Sequence, residues 1–113
     1  MPKLLFICSQ NRLRSPTAQA IFSAYPGVEA KSAGLDHDAE NPVSADLIEG
    51  ADVVFVMEKS HKNKLRKRFG KQLETKKVVV LNIPDEYEYM QPELVRLLKA
   101  KVSKYLPARG KAE

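Results

Sequence analysis

The sequence predicts an α/β fold, a three-layer sandwich in which helices cover both faces of a parallel sheet of about four strands. Three observations carry this reading. Leu4 to Cys8, Val53 to Met57 and Val78 to Leu81 are continuously apolar rather than alternating, as befits strands buried on both faces. Stretches of helical periodicity separate them, so strand and helix alternate along the chain. The 113 residues make one domain, 1–113, with 43% apolar and 29% charged residues, enough to build a core and too balanced in charge for wholesale disorder.

Taken in order, Leu4 to Cys8 is a short strand that runs into polar Ser9-Gln10-Asn11-Arg12. Ser15 and Pro16 read as an N-cap with proline at the first helical position, and Ala18, Ile21, Phe22 and Tyr25 recur at helical spacing until Pro26-Gly27. Val28 to Ser32 is a second strand ended by Ala33-Gly34, and the polar run from Asp36 to Asn41 is a loop. Pro42 to Gly50 is a short helix with Val43, Leu47 and Ile48 as its apolar patch. After the strand at Val53 to Met57, Ser60 to Phe69 is a basic helix stopped by Gly70, and Val78 to Ile83 is the last strand, closed by Pro84. Pro92 opens a final helix with Leu94, Val95, Leu97, Leu98, Val102, Tyr105 and Leu106 on one broad face. It ends near Pro107, leaving Ala108 to Glu113 frayed.

Several function classes fall away. No apolar run approaches the roughly 20 residues needed to cross a bilayer, so no membrane partner is expected. The run that begins at Leu4 is too short for a secretory signal. A single cysteine makes neither an internal disulfide nor a four-cysteine zinc site and fits a reducing, cytoplasmic setting. Asp36-His37-Asp38 reads as solvated loop, since three adjacent residues surround an ion poorly; no metal or other cofactor is expected. The net charge of +5 and pI near 9.4 suit an anionic partner. Lys59 to Lys77 holds nine Lys/Arg against one acid, whereas Glu29 to Glu58 holds eight acids against Lys31. The basic stretch lacks interleaved aromatics on which bases could stack, so nucleic acid is not the expected partner.

In parallel sheets ligands bind beyond the carboxyl ends of the strands, an edge shared here by the loop after Cys8, the Met57-Glu58 turn and the stretch after Pro84. The segment Cys8-Ser9-Gln10-Asn11-Arg12-Leu13-Arg14-Ser15 sits on that edge. A loop that curls ahead of a helix offers backbone N–H donors and the positive end of the helix dipole, a cradle for a dianionic phosphate. Arg14 adds a planar fork for two equatorial oxygens that tightens as the phosphoryl group becomes trigonal bipyramidal. Among these donors the Cys8 thiol is favoured as thiolate, a nucleophile at neutral or mildly acidic pH, and Ser15 can hydrogen-bond its sulfur.

These residues resemble the low-molecular-weight protein tyrosine phosphatases, whose loop reads Cys-x-Gly-Asn-x-Cys-Arg-Ser-Pro. Cys8, Asn11, Arg14, Ser15 and Pro16 match in register. The likeness continues through Ser32-Ala33-Gly34, through Ala51 to Glu58 with His61 beyond, and into Ile83-Pro84-Asp85. The resemblance implies a four-stranded parallel sheet, Cys8 as nucleophile, Arg14 as phosphate clamp, Asn11 as keeper of the loop's shape and Ser15 as stabiliser of the leaving thiolate. Asp85 takes the role of general acid toward the leaving oxygen and then base toward water, both possible for one carboxyl in turn. Tyr87 and Tyr89 would wall the pocket against an aromatic substrate.

The chain departs from the pattern at named places. Gln10 stands where the family has glycine, a difficulty if the backbone there needs positive φ. Leu13 replaces a second loop cysteine, so Cys8 has no neighbouring thiol to trap its oxidation. Only 16 residues separate Gly34 from Ala51, which predicts a missing helix and a thinner shell around the loop. Asp85 is followed by Glu86 rather than proline. The expected activity is cysteine-dependent hydrolysis of phosphotyrosine or a small aryl phosphate, on a phosphorylated protein or free. The alternative is a weak or inactive phosphate- or phosphopeptide-binding protein on the same scaffold. Arsenate reduction would need an external thiol, since Cys8 has no internal partner. His61 reads as a helix anchor or a surface histidine, without a catalytic role.

Overall fold

The computed structural model describes residues 2–36 and 38–106. Its elements follow the predicted alternation: β1 (Lys3–Cys8), α1 (Arg14–Ser23), β2 (Glu29–Gly34), α2 (Ala45–Glu49), β3 (Val53–Val56), α3 (Lys59–Leu73), β4 (Lys77–Val80) and α4 (Pro92–Val102). A 3-10 turn at Ser103–Tyr105 ends the described chain. The four strands form one sheet in the order β2-β1-β3-β4, and every neighbouring pair is parallel. β1 is therefore central, and Cys8 ends it at the carboxyl edge, in register with Gly34 of β2.

The side-chain period of two divides the core. Leu4, Phe6 and Cys8 of β1 face Phe22 of α1 and Leu94, Leu98 and Val102 of α4. Leu5 and Ile7 face the opposite layer, with Ile48 of α2 and Leu65 and Leu73 of α3. Phe6 anchors the first layer, stacked against Phe22 at 5.6 Å and Phe55 at 5.0 Å between ring centroids. Both faces are covered, which is why the strand sequences are apolar throughout.

Several boundaries differ from the sequence reading for local reasons. α2 starts at Ala45 because Ser44 caps it, its Oγ accepting the Leu47 N–H at 3.3 Å, while Pro42 bridges to Gly34 instead of opening the helix. α3 does not stop at Gly70: Phe69 leaves helical geometry (φ −132°, ψ 32°) and the chain re-enters the helix to Leu73, so the glycine sits at a kink. β4 is shorter than expected because Asn82 takes φ 56° and breaks the extended run. Leu81 and Ile83 still donate to the Val56 and Met57 carbonyls at 2.9 Å, which carries the chain along β3 to the site. α4 ends at Val102, and Tyr105 lies in the 3-10 turn. The expected stop at Pro107 and the tail from Ala108 to Glu113 lie outside the described residues, as does His37. Among the described residues no helix is long and apolar enough to cross a membrane.

Candidate active site

The loop between β1 and α1 curls around the Cys8 sulfur. Asn11 donates its backbone N–H to Sγ at 3.2 Å, and Ser15 Oγ lies 3.0 Å from Sγ on the other side. Asn11 makes this curl by taking φ 58°, a left-handed conformation that asparagine tolerates better than most residues. The positive φ falls at Asn11 and not at Gln10, so the glutamine in the family's glycine position meets no backbone penalty of that kind. Asn11 Oδ1 also accepts the Ser15 hydroxyl at 2.8 Å. Ser15 is thus not the N-cap expected of it: Leu13 occupies that position, and Ser15 lies fully buried in the first turn with its hydroxyl aimed back at the loop.

The loop's carbonyls are turned outward and held. Leu35, Asp36 and Glu40 donate backbone N–H groups to the carbonyls of Cys8 (2.9 Å), Ser9 (2.9 Å) and Gln10 (3.2 Å). Gln10 adds a side-chain bond to Asp36 Oδ2 at 2.8 Å, so half-buried Asp36 is a brace and not a solvated loop acid. The short segment after β2 therefore supplies the supporting shell that its length argued against. Close approach is what makes it possible: a Cβ on Gly34 would lie 2.5 Å from the Ala39 Cβ and 2.8 Å from the Ser9 carbonyl oxygen.

Arg14 is 3% exposed, and a buried guanidinium has to be paired. Its Nη1 donates to Glu58 Oε2 at 2.6 Å and to the Ile83 carbonyl at 2.7 Å. Those two bonds use both protons of Nη1 and fix the plane of the guanidinium. Its Nε lies 3.8 Å from Asp85 Oδ1, so the arginine joins β1, β3 and β4 ends of the chain at one point. The bond to Arg14 holds the Glu58 carboxyl below its ordinary range, against the opposing effect of desolvation.

Glu58 also leads into α3, where His61 is buried at 2% exposure. Its Nδ1 accepts the Glu58 backbone N–H at 3.2 Å, and its Nε2 lies 3.1 Å from Ser9 Oγ. Burial, followed by the nearby Arg14 charge, lowers the His61 pKa and keeps the ring neutral. An open cleft of about 260 Å³ lies over this arrangement, lined by Cys8, Ser9, Gln10, Arg12, Leu13, Arg14 and Asp85.

This order of parallel strands and covering helices recurs in solved structures. A low-molecular-weight protein tyrosine phosphatase from Streptococcus pyogenes superimposes with a TM-score of 0.81 at 12% identity, over 100% of this chain and 99% of that one. Vibrio vulnificus Wzb, solved with benzylphosphonate, gives 0.75 at 19% identity over 99% of both chains. The YwlE arginine phosphatase of Geobacillus stearothermophilus gives 0.72 at 23% identity over 93% of both. The fold is that of the low-molecular-weight protein tyrosine phosphatases. No protein-family model and no curated protein sequence matches the chain.

Within this phosphatase fold the segment after Pro84 is largely exposed. Asp85 has a side chain 64% exposed, at the cleft but in water. Tyr87 is half-buried and packs against the α1/α4 layer, and Tyr89 is 53% exposed; neither lines the cleft. The segment is tied down at Met90, whose N–H donates to Thr17 Oγ1 at 3.0 Å, while Thr17 donates to the Leu13 carbonyl at 2.6 Å. Arg12 is exposed and pairs loosely with Glu40 at 3.6 Å. Sequence reasoning missed Glu58 and His61 as site residues. The Met57-Glu58 turn was legible as part of the carboxyl edge, but a bond spanning 44 residues to Arg14 leaves no local signal.

Proposed function

We propose that the protein is a cysteine-dependent phosphomonoesterase acting on phosphotyrosine or another aryl phosphate. The observation that carries this is the convergence on one cleft of the Cys8 sulfur, the Asn11 N–H and Ser15 hydroxyl beside it, the Arg14 guanidinium and the Asp85 carboxyl. With Nη1 committed to Glu58 and Ile83, the Nε and Nη2 edge of Arg14 is the fork for phosphoryl oxygens.

The chemistry balances in two steps. The Cys8 thiolate attacks phosphorus in line, the P–O bond breaks, and Asp85 as an acid protonates the leaving aryl oxygen. Asp85 as a carboxylate then removes a proton from water as its oxygen attacks the cysteinyl phosphate, and sulfur departs as thiolate. Ser15 has one hydroxyl proton and two acceptors, Asn11 Oδ1 at 2.8 Å and Cys8 Sγ at 3.0 Å. Turning that proton from Oδ1 to sulfur stabilises the departing thiolate without moving a heavy atom.

The test is hydrolysis of 4-nitrophenyl phosphate, phosphotyrosine peptide and phosphoarginine peptide by the native protein, Cys8→Ser and Asp85→Asn. Turnover of the aryl esters that Cys8→Ser abolishes and Asp85→Asn slows supports the proposal. Full activity in Cys8→Ser overturns it. A preference for phosphoarginine replaces the aryl substrate class, and inert protein that still binds inorganic phosphate makes the scaffold a receptor for phosphorylated ligands.

A further inference from the structure

We propose that Ser9 and His61 act as a positioning pair, in which neutral His61 orients the Ser9 hydroxyl so that its proton is directed at a phosphoryl oxygen in the cleft. This inference rests on the phosphatase reading of the site and adds to it a side-chain donor and the residue that aims it.

The tautomer follows from the partners. Nδ1 accepts the Glu58 backbone N–H at 3.2 Å and so carries no proton, which places the ring's one proton on Nε2. Nε2 then donates to Ser9 Oγ at 3.1 Å. A hydroxyl that accepts at oxygen keeps its own proton for another acceptor, and Ser9 lines the cleft next to Cys8. A helix cap alone would need only the Nδ1 side of the ring. The second nitrogen instead reaches 52 residues back to the phosphate loop, which a capping role does not require.

The same geometry makes the pair sensitive to protonation. An added proton would sit on Nδ1, opposite the Glu58 N–H, and two donors would face each other across 3.2 Å. Either the first turn of α3 or the ring would have to move, and the bond to Ser9 with it. The charged groups around the ring are Arg14 from α1 and Lys64 on α3, which oppose imidazolium, and Glu58 and Asp36, which favour it. Desolvation of the buried ring adds to the opposing side.

The experiment measures kcat and KM for 4-nitrophenyl phosphate across pH in the full chain, for the native protein, Ser9→Ala, His61→Leu, His61→Gln and Ser9→Ala/His61→Leu. Loss of a hydrogen bond to a charged group predicts a fall in kcat/KM of about ten- to a hundredfold for Ser9→Ala and for His61→Leu. The double variant should fall no further than the worse single one, because both remove the same bond. The Gln carboxamide can donate to Ser9 but does not titrate, so His61→Gln should restore most of kcat/KM and remove one ionisation from the acid side of the profile. Additive losses, an unaffected His61→Leu, or a native acid limb in His61→Gln overturn the pair. If His61→Leu does not fold, Ser9→Ala with unchanged kcat/KM and unchanged inhibition by inorganic phosphate overturns it as well. If the native protein is inert, the phosphatase proposal fails by itself, and weaker inorganic phosphate binding by Ser9→Ala than by native still supports the pair while equal binding overturns it.

Discussion

Asn11 shapes the loop twice over: its backbone at φ 58° curls the chain and its side-chain oxygen accepts the Ser15 hydroxyl. Alanine at that position would carry a Cβ into the left-handed region, which disfavours an L-residue by about 1–2 kcal/mol, whereas glycine would not. Asn11→Ala should therefore lower the urea midpoint more than Asn11→Gly. Both should lose aryl phosphatase activity, because neither side chain holds the Ser15 hydroxyl in place beside the Cys8 sulfur. Stability and activity measured on the two variants separate the strain from the hydrogen bond. Cys8, Asn11, Arg14 and Ser15 could be singled out from sequence because their spacing is local and their chemistry is specific. Gln10 looked troublesome there only because a sequence does not say which loop residue takes the unusual φ.

At the scale of elements, α3 shows how one helix start serves the site. His61 and Glu58 both have pKa values lowered in the fold, so the unfolded chain binds protons that the folded chain does not as pH falls. The stability these shifts bring is fully present above the unfolded values. For His61 it is lost as pH falls below its ordinary 6.5 toward the depressed folded value, and for Glu58 it is lost below 4.5. Urea midpoints between pH 7.5 and 5 should drop for the native protein and drop less for His61→Gln. The opposite layer rests on β1: Phe6 is fully buried between Phe22 and Phe55. Phe6→Ala should destabilise by about 3–5 kcal/mol, measured as a shift in urea midpoint at unchanged slope. Strand and helix order were legible because apolar runs and caps are local signals. The end of β4 and the kink at Phe69 were not, because each depends on what the backbone meets in space.

Across the whole molecule the charge is uneven: the helix that begins at the site carries a run of lysine and arginine, while the acidic stretch from Glu29 to Glu58 supplies part of the brace behind the loop. Exposed charges act on an approaching dianion over about a Debye length, roughly 10 Å at 0.1 M salt. For an aryl phosphate dianion, kcat/KM should decline as ionic strength rises. In Lys59→Glu/Lys62→Glu/Arg66→Glu the decline should flatten, with kcat little changed. A salt dependence identical to the native one would show that this face only meets solvent.

By itself the sequence determined the α/β class, the parallel sheet and the loop with its cysteine and arginine, because burial on both faces and a curled loop ahead of a helix each leave a mark on neighbouring residues. Only the tertiary structure decided that Glu58 and the Ile83 carbonyl hold Arg14, that His61 is buried against Ser9, and that a short segment after Gly34 suffices to brace the loop. Each of these contacts joins residues far apart along the chain or depends on a close approach between backbones. A contact of that kind exists only once the sheet has brought its strand ends to one edge, so no local pattern announces it.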